Sequence, residues 1–307
     1  MHPTALVAFL EFSRTAFSMS MALVVLFVIA LWVTKRDVAQ AHGLDKIVAL
    51  SNLCFAIPLA AFGAEHISAA QGIKNAVPAY MPWHLFWAYF VGFALIAASL
   101  SIATKVGVRW SGLLFGIMMF LFVAMIHLPG ALTDHQRTSW VVVFREPSFA
   151  AGAWLLSASA TNGWQARGKS ALIIIGRVII GITAIFFSVQ QFLHPTLAYG
   201  VPLEKPMPGW IPAPGIIGYL TAAILLIAGI CILLAQKTRL AATYLGTWIL
   251  LLVIFVYGPI LVTSLMDPST AVKVEGLNYF ADTLLFAGAI LALAKATTST
   301  DRYSQKP

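Results

Sequence analysis

Long apolar runs dominate the chain, separated by short polar clusters. A helix needs about 20 mostly apolar residues to cross about 30 Å of hydrocarbon. Runs of that kind fall at 16–34, 47–70, 84–104, 110–129, 139–160, 171–193, 215–235, 240–263 and 277–296. Together they take up most of the sequence and leave no stretch for a soluble domain. The pattern therefore predicts an all-α, polytopic membrane protein of about nine transmembrane helices.

The runs are not independent of one another. Arg109, His127 and Pro129 recur as Arg239, Tyr257 and Pro259, all at an offset of 130. Phe144-x-Glu146 followed by Ala151-Gly152-Ala153 recurs as Phe280-x-Asp282 followed by Ala287-Gly288-Ala289, at an offset of 136. Phe62-x-x-Glu65-His66 answers to Phe187-x-x-Gln190-Gln191, and Val77-Pro78, Met81-Pro82 and Trp83 answer to Val201-Pro202, Met207-Pro208 and Trp210. The order is kept and the offset drifts only where loops lengthen. Each unit has four helices, an even number, so both copies enter and leave on one side as parallel repeats. The expected organisation is an N-terminal helix with its loop (1–44), two four-helix bundle repeats (45–164 and 165–298) and a polar tail (299–307). Short turns at 105–109 and 236–239 make neighbouring helices antiparallel. Small residues at 150–153 and 287–289 let backbones approach closely on the fourth helix of each copy.

Composition agrees with the pattern: 60% of the 307 residues are apolar and 10% charged, against roughly 25% charged in soluble domains. The net charge of +8 raises the question of an acidic partner such as nucleic acid. Its placement answers differently. With the N-terminus outside, 13 of the 19 basic residues fall at inner helix ends, Lys35, Arg36, Lys46, Lys105, Arg109, Lys237 and Arg239 among them, with only three of the 11 acidic ones. The surplus follows the positive-inside rule and places the C-terminus in the cytoplasm of a bacterial-type inner membrane, with no role for nucleic acid. Ala39-Gln40-Ala41 has the form of a cleavage site, but the apolar core before it is long and Lys35-Arg36 follows that core, as expected of an anchor. Cys54 and Cys231 lie in different runs without CxxC spacing, which speaks against a disulfide framework.

The motif Phe62-Gly63-Ala64-Glu65-His66, with Val77-Pro78, Met81-Pro82-Trp83, Tyr89, Gly92, Arg109, His127-Leu128-Pro129, Glu146 and Phe149-Ala150-Ala151-Gly152-Ala153, resembles the DoxX-like membrane protein family. The second copy carries the same pattern with Gln190, Gln191, Tyr257 and Asp282 in place of the polar set. The tandem form with an extra first helix departs from the single unit of most members. The resemblance implies a helical membrane unit and an association with thiosulfate:quinone or thiol-redox systems, hence a redox enzyme as partner besides the lipid bilayer.

Ionisable residues inside spans are costly and mark functional candidates. Glu65 lies 19 residues past Lys46, His127 18 past Arg109, and Glu146 21 before Arg167. At about 1.5 Å per residue these distances are about 28, 27 and 31 Å, so all three reach one depth under the outer surface. Glu65, His66, His127, Arg145 and Glu146 are expected to gather there, with Asp282 next, and with Gln190, Gln191 and Tyr257 as their counterparts in the second copy. Three readings fit. The cluster pins the bundle as ion pairs and caps. Alternatively it forms a ligand or quinone head-group pocket walled by Trp83, Tyr89 and Trp140. The third reading is a single metal held by His66, His127, Glu65 and Glu146, since imidazole and carboxylate suit zinc, iron or copper. The replacements in the second copy confine proton or metal chemistry to the first. No phosphate-binding glycine loop, nucleophile elbow or zinc-protease helix is present. The favoured function is an accessory membrane subunit of a redox or quinone-linked system. A small-molecule transporter or binding protein, and a scaffold for membrane partners, are the alternatives. The scarcity of charge in the inner half of the helices leaves the transporter no visible hydrophilic path.

Overall fold

The computed structural model describes residues 3–160 and 166–304, with side chains described within 14–297. The expected boundary between the two copies at 164/165 and the end of the polar tail at 305–307 lie outside the described residues. Among the described residues the chain is helical with no strand. Its long helices are α1 (Pro3–Gln40), α2 (Ser51–Ser68), α3 (His84–Thr104), α4 (Val108–Phe122), α5 (Arg137–Ser159), α6 (Ala166–Leu193), α7 (Pro214–Leu233), α8 (Thr238–Leu252) and α9 (Thr270–Ser304). Two of these run on through a π-helical turn. Val123–His127 carries α4 into Leu128–Asp134, and Val253–Tyr257 carries α8 into Gly258–Met266.

Eight helical stretches among the described residues are long and apolar enough to cross a membrane. The chain is therefore a multi-pass membrane protein in its fold. The stretch expected at 139–160 forms α5, 23 residues long, but it is less apolar than the rest. Arg145, Glu146, Ser148, Ser157 and Ser159 lower its hydropathy, and its polar side chains find partners inside the protein. Ser157 Oγ donates to the carbonyl of Arg109 at 2.6 Å, and Trp154 Nε1 to that of Leu113 at 3.2 Å.

The two halves interlock. α2 packs along α3 and along α9, while α6 packs along α7 and along α5. The first helix of each half thus lies on the last helix of the other, where two self-contained four-helix bundles were expected. Small residues make the seam possible. A Cβ built on Gly152 would fall 2.5 Å from the Cβ of Ala289, and one on Gly288 would fall 2.8 Å from the backbone nitrogen of Phe55. Either distance is below van der Waals contact, so only glycine lets these backbones come so close. α1 packs chiefly on α2 and touches α9 and α3, leaving most of its surface for lipid.

Charge sorts to the ends. At one end Lys105 pairs with Asp37, Arg239 with Asp45 at 2.6 Å, and Lys295 donates to Asn52 Oδ1 at 2.5 Å. At the other end Lys205 pairs with Glu275 at 2.6 Å, and Arg137 Nη1 donates to the carbonyl of Pro202 at 2.6 Å. Tight turns join α3 to α4 and α7 to α8, with Lys105, Gly107, Ala235 and Lys237 at positive φ.

Candidate functional site

A cavity of about 510 Å³ lies in the first half, within the size range of small-molecule sites. Five helices supply its wall, α2, α3, α4, α5 and α9. Leu59, Phe62, Glu65 and His66 come from α2 at helical spacing, and Phe115, Met118, Met119 and Phe122 come from α4. Arg145, Glu146 and Phe149 come from α5, and Asn278, Asp282 and Leu285 from α9. Met125, Ile126 and His127 reach it from the π-helical turn. A π turn holds one residue more than the α spacing and shifts the faces that follow it, a device common at functional sites. Glu65, His66, His127, Arg145, Glu146 and Asp282 therefore share one cavity.

Arg145 is the hub of the polar end. Its Nη2 meets Glu146 Oε1 at 2.8 Å and its Nη1 meets Asp282 Oδ2 at 2.6 Å, so one guanidinium holds the acids of both halves. All three side chains are largely buried, and the charge-assisted geometry is what makes such burial tolerable. Glu65 Oε1 accepts from Asn278 Nδ2 at 3.1 Å. His66 Nδ1 lies 2.8 Å from the carbonyl of Phe62; with the proton on Nδ1, Nε2 is left as an acceptor towards the cavity. The His127 imidazole makes no hydrogen bond to a described residue.

The apolar wall differs from expectation. Trp83, Tyr89 and Trp140 do not line the cavity. Trp83 sits in left-handed conformation just before α3 and is 77% exposed, and Tyr89 lies on the outward face of α3. Trp87, Phe90, Val91 and Leu95 take their place. Phe90 and Leu121 line the cavity and are also about half exposed on the surface. They belong to α3 and α4, which pack mainly on α2 and α5 and far less on each other. Ile73, Ala76, Val77, Pro78 and Met81, from the connection between α2 and α3, roof one end.

A second, shallower cavity of about 470 Å³ is lined by Leu203, Glu204, Glu275 and Tyr279, and it shares Asn278 and Asp282 with the first. Asn278 is not among the residues that sequence reasoning singles out. A signal for it exists all the same, since it stands four residues before Asp282 and so on the same face of an apolar helix.

The remaining candidates lie elsewhere. Tyr257 is buried and its hydroxyl donates to the carbonyl of Tyr199 at 2.8 Å. Gln191 is buried, with Nε2 at 3.3 Å from the carbonyls of His194 and Leu197. Gln190 Oε1 is buried without a partner among the described residues. None of the three faces the first-half cavity. Burial pushes the Tyr199 hydroxyl up to about 12, so it stays protonated and donates to the carbonyl of Pro214 at 2.7 Å.

For a metal, His66, His127, Glu65 and Glu146 would have to converge in a group of three or more. Among the described residues no such group of His, Cys, Asp or Glu exists. Glu146 is held by Arg145 and Glu65 by Asn278. Fold and site together define a multi-pass helical membrane protein with a cavity that is apolar along its length and charged at one end. No family model, curated protein or solved structure matches the chain.

Proposed function

We propose that this protein binds an amphiphilic small molecule in the cavity of its first half, as an accessory membrane subunit of a redox or quinone-linked system. The observation that carries the reading is the cavity's polarity. An apolar chamber whose wall is about half exposed at Phe90 and Leu121 ends on Arg145, Glu146, Asp282, Glu65 and two histidines. In this reading an apolar tail enters from lipid between those two residues, and a polar head meets groups that donate, accept and exchange protons. The DoxX-like resemblance favours the same system.

In this proposal the chain is two DoxX-like units in tandem, and α5 is a ninth span, shielded from lipid by α4, α6 and α9. The basic end, with Lys105, Arg239 and Lys295, faces the cytoplasm, and the cavity's roof faces the outside of an inner membrane. Support for the duplication comes from the two π turns, Val123–His127 and Val253–Tyr257, which are related by the same offset as His127 and Tyr257 themselves.

The test is solvent extraction of protein purified in mild detergent, followed by mass spectrometry. One amphiphile per chain, lost in His127→Ala while the protein stays folded, is the expected result. Extracts of both proteins that match the bulk lipid would overturn the reading.

A further inference from the structure

In the second half a piece of the chain fills the place that answers to the open cavity. After α6 the chain forms a small hairpin. The amide of Ala198 donates to Lys205 O and that of Met207 to Thr196 O, both at 2.9 Å. Tyr199 at its tip is fully buried, and Val201 and Ile211 nearly so. Tyr257 donates to the tip carbonyl of Tyr199, and Gln191 to the carbonyls of His194 and Leu197. Gly200, at φ +82°, passes so close to α8 that a Cβ there would lie 3.0 Å from Ile249 Cδ1 and 3.7 Å from Leu252 Cδ1.

Each residue that grips the hairpin has a counterpart in the first half. By the offsets of the repeat, Ile249, Leu252 and Tyr257 answer to Met119, Phe122 and His127, and Gln191 answers to His66. All four counterparts line the open cavity. The first-half connection is different: Ala70–Ile73 and Lys74–Ala76 are helical and form a roof, with no tip turned inward.

We infer that the hairpin tip is a built-in occupant, and that it reports the chemistry the open cavity takes. The occupant is a planar ring carrying a hydroxyl donor, beside a carbonyl acceptor held by the residue at the His127 position. The ligand of the first half is accordingly an amphiphile with an oxygenated ring head, of the quinone or phenol class, whose oxygen accepts from His127. The inference rests on the cavity being a binding site, as proposed above.

Two probes separate the two claims: decylubiquinone and phenyldecane, which share a six-membered ring and a decyl tail, decylubiquinone adding two ring carbonyls, two methoxy groups and a methyl. Binding to the full chain in detergent micelles is followed by equilibrium dialysis. Decylubiquinone is expected to bind once per chain, at least about tenfold more tightly than phenyldecane, the worth of one or two hydrogen bonds. His127→Phe should remove that advantage without weakening phenyldecane, and His127→Asn, which keeps an N–H donor, should retain most of it. Equal binding of both probes would overturn the ring-head inference and leave the pocket in place. Binding of neither would overturn both. Two decylubiquinone molecules per chain would overturn occupancy of the second half by the hairpin. If His127→Phe also loses phenyldecane, its fold is damaged, and the two probes on the unaltered protein decide.

Discussion

Arg145 ties Glu146 to Asp282, its counterpart in the other half, and removal of the guanidinium leaves both acids buried without a counter-charge. Breaking a buried ion pair from one side costs about 3–5 kcal/mol. Arg145→Ala is therefore expected to lower the thermal unfolding midpoint in detergent sharply. Neutralising the partners as well, in an Arg145→Leu, Glu146→Gln, Asp282→Asn triple variant, should recover much of the loss, because the uncompensated charge is then gone. A triple variant no more stable than Arg145→Ala would mean that the guanidinium acts through its packing. Counting residues from basic helix ends puts Glu65, His127 and Glu146 at one depth, and all three line one cavity. Depth counting carries no information on rotation about the helix axis or on which helices are neighbours. For that reason the Arg145–Asp282 bond and the Asn278–Glu65 bond are not legible in the sequence, and the aromatic wall is expected from the wrong side chains.

Helix positions follow from hydropathy to within a few residues for most elements, since lipid-facing helices announce themselves by their apolar surface. α5 forms at Arg137–Ser159 where a span is expected at 139–160, but Arg145, Glu146 and its serines make it less apolar than the other spans. The π turns are invisible, because an extra residue in a helical turn leaves no mark in composition. The glycines on α5 and α9 are legible as contact points, and the structure gives them specific partners. Gly288→Val is expected to block folding, measured as loss of monodisperse protein in size-exclusion chromatography, since the added Cβ meets the backbone of α2. Gly130→Ala, where no atom lies within 4 Å of the new Cβ, should elute like the unaltered protein. If both variants behave alike, the close seam between α2 and α9 is not what holds the fold.

Over the whole molecule, the charge asymmetry makes a prediction about sidedness. In a background with Cys54 and Cys231 replaced by alanine, a cysteine at Lys105 should react with an impermeant maleimide only in inside-out vesicles. One at Lys205 should react only in right-side-out vesicles. The reverse pattern would invert the topology and turn the cavity's roof towards the cytoplasm.

The interlocking of the halves has a consequence for how such a chain is made. During synthesis α2 enters the bilayer well before α9, the helix it must rest on, with six long helices made between them. Until α9 arrives, Glu65 has no Asn278, and the backbone of α2 opposite Gly288 has no cover. The first half is thus an unfinished object, however complete its four helices look in sequence. A chain cut between residues 160 and 166 should accumulate in the membrane only when both pieces are made in the same cell. Ancestral single units, if two such units were once separate, would have had to meet as pairs, each lending its last helix to the other.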